Sequence, residues 1–128
     1  PEWDDARNVA TFGPCAHPHF HGHSYVCLVT VRGAVDRTTG FCVDLALLDR
    51  VLHDEVRARY DHRNLNLDIP EFADGRLIPT SEELCLQVAE RVQARLDAAL
   101  GAEAPRVTRV EVAEDETMRV TYEPERDA

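Results

Sequence analysis

The chain has 128 residues, of which 44% are hydrophobic, and a formal net charge of −10 at neutral pH. This length fits one domain with a single core and is too short for two, so we expect residues 1–128 to form one domain. The acidic surplus argues against a nucleic-acid-binding surface, no apolar run approaches the roughly 20 residues of a membrane span, and the absence of lysine excludes Schiff-base chemistry.

The first informative segment runs from Cys15 to Tyr25, where a single glycine separates His21 from His23. Because successive side chains of an extended strand alternate between faces, these two histidines point the same way. Two neutral imidazoles on one face can bind one divalent metal, most often zinc. Cys15 is then a further ligand, or a thiolate nucleophile or base beside the metal. The alternative is a polar, histidine-rich loop without metal.

The other three cysteines, Cys27, Cys42 and Cys85, have apolar neighbours and resemble small buried hydrophobic residues. No two of the four cysteines have the Cys-x-x-Cys spacing. This usage favours a reducing, cytoplasmic location.

Residues 23–32 are rich in β-formers and predict a strand, followed by turn residues over 33–40. Residues 41–43 predict a second strand, antiparallel to the first. Asp44 is a good N-cap for the next helix, whose apolar stripe at helical spacing comprises Leu45, Leu48, Leu52 and Val56.

Residues 61–79 contain several helix breakers and predict a loop. A capping box beginning at Thr80 opens a second helix, which ends at Gly101 and has a core stripe of Leu84, Val88, Val92 and Leu96. Alternating residues over 106–113 and 117–123 predict a closing hairpin. The predicted class is α+β, with two helices covering one face of an antiparallel sheet.

Three polar clusters are candidates for chemistry. Asp61 adjoins His62 and could orient the imidazole and raise its basicity, or the two could form a solvated helix end. Thr80 and Ser81 stand at a predicted helix N-terminus, where they could hold a polar ligand or simply cap the helix. Glu114 lies at the end of a predicted strand and could accept two hydrogen bonds from a heterocycle edge, or be an ordinary turn carboxylate.

In chain order, these motifs resemble the 6-pyruvoyl-tetrahydropterin synthase family, which includes the bacterial 6-carboxy-tetrahydropterin synthases of queuosine precursor synthesis. The matching segments are 12–15, 21–25, 39–45, 61–65, 68–74, 79–82 and 112–114, together with Tyr122. The resemblance covers nearly the whole chain, about residues 2–123. It implies the tunnelling fold (T-fold), with element order ββααββ and the first strand apparently missing from this chain.

The resemblance implies a role for each candidate residue. His21 and His23 are two of three zinc ligands, and Cys15 is the catalytic thiolate that abstracts a substrate proton. Asp61 and His62 complete the proton-relay set from across a subunit boundary of a homohexamer. The implied pterin-binding residues are Glu114, which anchors the 2-amino-4-oxo edge, and Thr80 and Ser81, which line the same pocket.

The implied substrate is 7,8-dihydroneopterin triphosphate, which loses triphosphate to give a tetrahydropterin. The resemblance leaves open whether the product is the 6-pyruvoyl or the 6-carboxy compound. The five residues between Cys15 and His21 resemble the pyruvoyl type, whereas the composition suggests a bacterial source, where the carboxy product is common. The alternative function is a catalytically altered pterin- or metal-binding homologue.

The third zinc ligand of the family is a histidine on its first strand, which has no counterpart here. We expect that ligand upstream of Pro1; substitution by His17 or His19 is the alternative. Three further departures from the family pattern bear on substrate choice: Phe20 in place of glycine, Glu83 in place of asparagine, and Asp115 in place of threonine.

Overall fold

A computed structural model describes residues 3–125, in which three antiparallel strands have the order β1-β2-β3. The strands are β1 (Val26–Arg32), β2 (Arg106–Ala113) and β3 (Arg119–Tyr122). The helices are α1 (Asp5–Phe12), α2 (Leu45–Leu52), α3 (Ala58–Tyr60), α4 (Leu65–Asp68), α5 (Pro70–Ala73) and α6 (Ser81–Leu100). A π-helical turn, His53–Arg57, joins α2 to α3, and 3₁₀ turns follow α1 (Gly13–Ala16) and α6 (Gly101–Glu103). The predicted α+β class is confirmed.

The core lies between α6 and one face of the sheet. β2 contributes Val107, Val110 and Val112, all at most 5% exposed. The spacing of three between Val107 and Val110 breaks the two-residue period of a strand. The register opposite β1 shifts between Thr30 and Val31, and this bulge returns Val107 to the buried face. The predicted hairpin of β2 and β3 is confirmed.

Helix α6 follows the prediction closely. The Thr80 hydroxyl accepts a hydrogen bond from the Glu83 amide at 3.2 Å, which caps the helix, and Gly101 ends it at φ 59°. The predicted core stripe is fully buried, from Leu84 to Leu96. Local capping signals and a regular stripe therefore set this element without help from the rest of the fold.

Helix α2 is rotated relative to its predicted face. Leu45, expected in the core, is 61% exposed, while Val51 is buried and Glu55 in the π-helical turn is 5% exposed. Glu55 accepts hydrogen bonds from Arg91 and Arg95 on α6 at 2.8 and 2.6 Å. These two ion pairs draw a charged residue inward, which an apolar pattern cannot anticipate.

The prediction of a second strand at 41–43 is wrong: these residues form a bend, and β1 pairs with β2 instead. The Asp36 amide donates to the Phe41 carbonyl at 2.9 Å, and the Asp36 side chain accepts from the amides of Thr38 and Thr39. This closed loop runs almost directly into the Asp44 cap of α2. Too few residues remain between the two for a ladder to form.

Two other expectations need correction. Residues 61–79 are not wholly loop, because α4 and α5 lie within them and bury Ile69 and Phe72 against Leu84. Helix α1 was not expected, and it contributes no buried residue. Within residues 3–125, no helix combines the length and apolarity needed to cross a membrane.

Candidate functional site

His21 and His23 lie on the extended segment that leads into β1. Their ring centroids are 4.8 Å apart and their planes are nearly perpendicular, at 80°. Phe20, immediately upstream, has φ 60°, a left-handed conformation that glycine adopts without strain and other residues seldom adopt. The two imidazoles thus approach each other after a sharp change in chain direction.

Glu114 lies beside these imidazoles because of the strand register. Val26 of β1 pairs with Ala113 of β2, so the residue after Ala113 is placed near the residues that precede Val26. Glu114 Oε2 is 4.0 Å from His23 Nε2, and the side chains are 20% and 29% exposed. The Ser81 hydroxyl at the start of α6 donates a hydrogen bond to Glu114 Oε1. We call His21, His23, Ser81 and Glu114 the His–Glu site.

Tyr25 is a residue of this region to which the sequence analysis assigned no role. Its ring is 5.7 Å from that of His23. Burial raises the pKa of the Tyr25 phenol, and the negative charges of Glu114 and Cys15 raise it further. The Cys15 thiol and the Glu114 carboxylate therefore both lie close to Tyr25. The alternation of residues 21, 23 and 25 along the extended segment could have revealed this shared face.

Cys15 is exposed in the 3₁₀ turn that follows α1. The other cysteines of the sheet and α6 are poor nucleophiles: burial and the neighbouring Cys85 raise the pKa of Cys27 to about 11, and burial raises the pKa of Cys85. Because the thiolate is the reactive form, neither Cys27 nor Cys85 is reactive at neutral pH. Their burial agrees with the sequence-based interpretation of these two residues.

The paired imidazoles fit part of a zinc site. Zinc binds imidazole nitrogen at about 2.0–2.1 Å, so the centres of two rings that share a tetrahedral zinc lie roughly 5 Å apart. The observed 4.8 Å satisfies this condition. Within residues 3–125, no group of three or more His, Cys, Asp or Glu side chains could hold a metal ion. The described residues therefore do not join His17 or His19 to such a group, and the ligand expected upstream of Pro1 lies outside them.

Asp61 and His62 meet in space, as the sequence analysis required for their pairing to matter. Asp61 Oδ1 and His62 Nδ1 are 2.8 Å apart, while the His62 side chain is 93% exposed and its backbone has φ 55°. Among the described residues, no hydrogen bond or ion pair links this dyad to Cys15 or to the His–Glu site. A single chain therefore does not bring the two groups into contact.

The remaining candidates have local partners. The Thr80 hydroxyl is engaged in capping α6. Asp115 accepts hydrogen bonds from the Thr117 and Met118 amides, which lower the pKa of its carboxyl and shape the hairpin turn. Glu83 accepts from the Gln87 amide at 3.1 Å. The two carboxylates that depart from the family pattern thus stabilise local structure.

Comparison with known proteins places these features in context. A family model described as 6-pyruvoyl tetrahydropterin synthase matches residues 3–125. The chain is 36% identical over 89 residues to human 6-pyruvoyl tetrahydrobiopterin synthase, which covers 70% of this chain and 60% of the human protein. It is 32% identical over 116 residues to 6-carboxy-5,6,7,8-tetrahydropterin synthase of Bacillus subtilis, covering 89% and 73%.

The fold gives the same result. The structure of Caenorhabditis elegans 6-pyruvoyl tetrahydropterin synthase superposes with a TM-score of 0.81 at 31% identity, covering 97% of this chain and 83% of that one. The chain spans less than two thirds of the length of the human protein.

Proposed function

The chain belongs to the 6-pyruvoyl tetrahydropterin synthase family, and from that premise we propose that it converts 7,8-dihydroneopterin triphosphate into a tetrahydropterin with release of triphosphate. Relatives named for the pyruvoyl compound and for the carboxy compound both match, so the product is one of these two. We place the reaction in the cytoplasm.

The observation that carries this proposal is the His–Glu site. Glu114 is held by the Ser81 hydroxyl within 4.0 Å of His23, beside a pair of imidazoles. An ionised carboxylate has only acceptor oxygens, and the 2-amino group and adjacent ring N–H of a pterin are donors. We propose that Glu114 binds this edge of the ring, with Ser81 and Thr80 lining the same pocket. The substrate side chain then lies towards His21 and His23.

His21 and His23 would hold zinc together with a third histidine. When bound, zinc supplies Lewis acidity to the substrate hydroxyls and makes the neighbouring C–H bonds more acidic. Cys15, as the thiolate, takes a proton from substrate carbon. The Asp61 carboxylate accepts the Nδ1 proton of His62, which fixes the tautomer and leaves Nε2 free to move a proton.

We propose that a homohexamer completes the reaction centre. The His62 imidazole is almost wholly exposed and does not contact Cys15 in its own chain. A neighbouring subunit can therefore present its dyad to the Cys15 region of this one. The reaction needs no external oxidant, because proton shifts and loss of triphosphate account for the product.

The test is analysis of the products formed from 7,8-dihydroneopterin triphosphate by the full-length, zinc-loaded protein. We expect release of triphosphate together with a new tetrahydropterin, whose mass identifies it as the pyruvoyl or the carboxy compound. Absence of turnover in a protein shown to contain bound zinc would contradict the proposal. That result would favour the catalytically altered homologue.

A further inference from the structure

The dyad of Asp61 and His62 lies on a tight turn that the backbone alone does not favour. His62 has φ 55°, a conformation that is strained for a residue with a side chain. The Asp61 amide donates to the Arg57 carbonyl at 2.9 Å, and the Arg63 amide donates to the Tyr60 carbonyl at 3.1 Å. Such a conformation persists only where the surrounding structure fixes both ends of the segment.

An ion pair fixes those ends. Arg59 on α3 precedes the turn and Glu71 on α5 follows it; Arg59 Nη2 lies 2.5 Å from Glu71 Oε2. The two side chains are only 18% and 25% exposed, so water screens the pair weakly. Arg59 Nε is buried without a hydrogen-bond partner among the described residues. The residue thus carries an unfavourable burial that its pairing with Glu71 offsets.

A second layer ties this pair to α6. Arg91 Nη1 lies 4.0 Å from Glu71 Oε1, and Arg91 Nη2 lies 2.7 Å from Glu55 Oε2. Glu55, whose side chain is 7% exposed, also pairs with Arg95. The first residue of the same helix, Ser81, contacts Glu114. One rigid helix therefore supports both the dyad turn and the His–Glu site.

We propose that Arg59 and Glu71 are positioning residues for the dyad. Their ion pair closes the turn, keeps His62 in its left-handed backbone conformation, and directs the imidazole outward with Nδ1 on Asp61. The catalytic meaning of this arrangement depends on the proposed function, because only there does the dyad move a proton. The positioning itself is a property of the chain and can be measured without substrate.

The test compares Arg59→Met with Arg76→Met. Arg76 is a matched control because it pairs with Asp74 at 2.5 Å in the same region, but with side chains 66% and 46% exposed. In Arg59→Met we expect the Arg63 and Asn64 amides to exchange at least about tenfold faster, with α6 amides unchanged. We expect Arg76→Met to leave all of these rates unchanged.

Turnover supplies a second readout. In Arg59→Met, kcat should fall roughly 10- to 100-fold while KM stays within about twofold, because Glu114 and Ser81 are not disturbed. Arg59→Lys keeps the charge and should recover part of the loss. Glu71→Gln, which is nearly isosteric, should reproduce the exchange result from the other side of the turn.

Unchanged exchange at Arg63 and Asn64 in Arg59→Met and Glu71→Gln would overturn the proposal. Loss of protection throughout α6 in both variants would also overturn it, because the pair would then support the whole fold and not the turn. If the wild-type protein shows no turnover, the proposed function fails, but the exchange measurement still decides whether the pair positions the dyad.

Discussion

Replacing Cys15 with alanine will abolish tetrahydropterin formation and leave metal binding unchanged. Cys15 is exposed and lies close enough to Tyr25 for its charge to act on the phenol, at the edge of the His–Glu site. Proton transfer by a positioned side chain accelerates reactions by about 10²- to 10⁴-fold, so a loss in that range is expected. The proposed metal ligands are His21 and His23, which this substitution does not touch.

The measurement is the rate of triphosphate release, together with the zinc content of the same preparation. Cys42→Ala is the matched control, because it removes a half-buried thiol from the loop before α2 and should leave turnover unchanged. Turnover equal to wild type in Cys15→Ala would show that another group takes the substrate proton. Loss of zinc in Cys15→Ala would instead make the thiol a metal ligand, the other role that the sequence left open.

Replacing Glu114 with glutamine will weaken pterin binding by roughly 10- to 100-fold, since a hydrogen bond to a charged group contributes about 1.5–3 kcal/mol. Glutamine keeps the size of the side chain but replaces one acceptor oxygen with a donor NH₂ group. That group would face the donor edge of the pterin or the Ser81 hydroxyl, which now donates to Glu114. Either arrangement leaves a donor opposed to a donor.

The affinity is best measured by calorimetry with neopterin, which has no triphosphate to react. Glu116→Gln is the control, because Glu116 is an exposed carboxylate on the same hairpin turn. It makes the same chemical change two residues away and should leave the affinity unaltered. An affinity for neopterin that is the same in Glu114→Gln as in the wild type would rule out Glu114 as the pterin anchor.

The parts of the fold that the sequence predicts are those with local causes. Thr80 and Gly101 bound α6 through capping that involves near neighbours only, and the period of its apolar residues sets the buried face. The shared face of His21 and His23 likewise follows from strand alternation. By contrast, the burial of Glu55 depends on two arginines on another helix, about ten turns of sequence away from any local signal.

The site shows the same division. The contact between Ser81 and Glu114 joins residues 33 positions apart, and no local pattern encodes it. The left-handed backbone at His62 is equally invisible in the sequence, since histidine does not announce a positive φ as glycine does. The position of the dyad away from Cys15 depends on how α3 and α5 close their turn, which only the three-dimensional structure gives.

The separation of Cys15 from the dyad has a consequence for mixtures of subunits. If each reaction centre takes its thiol from one chain and its imidazole from a neighbour, no centre belongs to a single gene product. A chain without Cys15 and a chain without His62 would each be inactive alone, yet together they would regain activity. Random mixing would leave about a quarter of the centres intact, which is the pattern of intersubunit complementation.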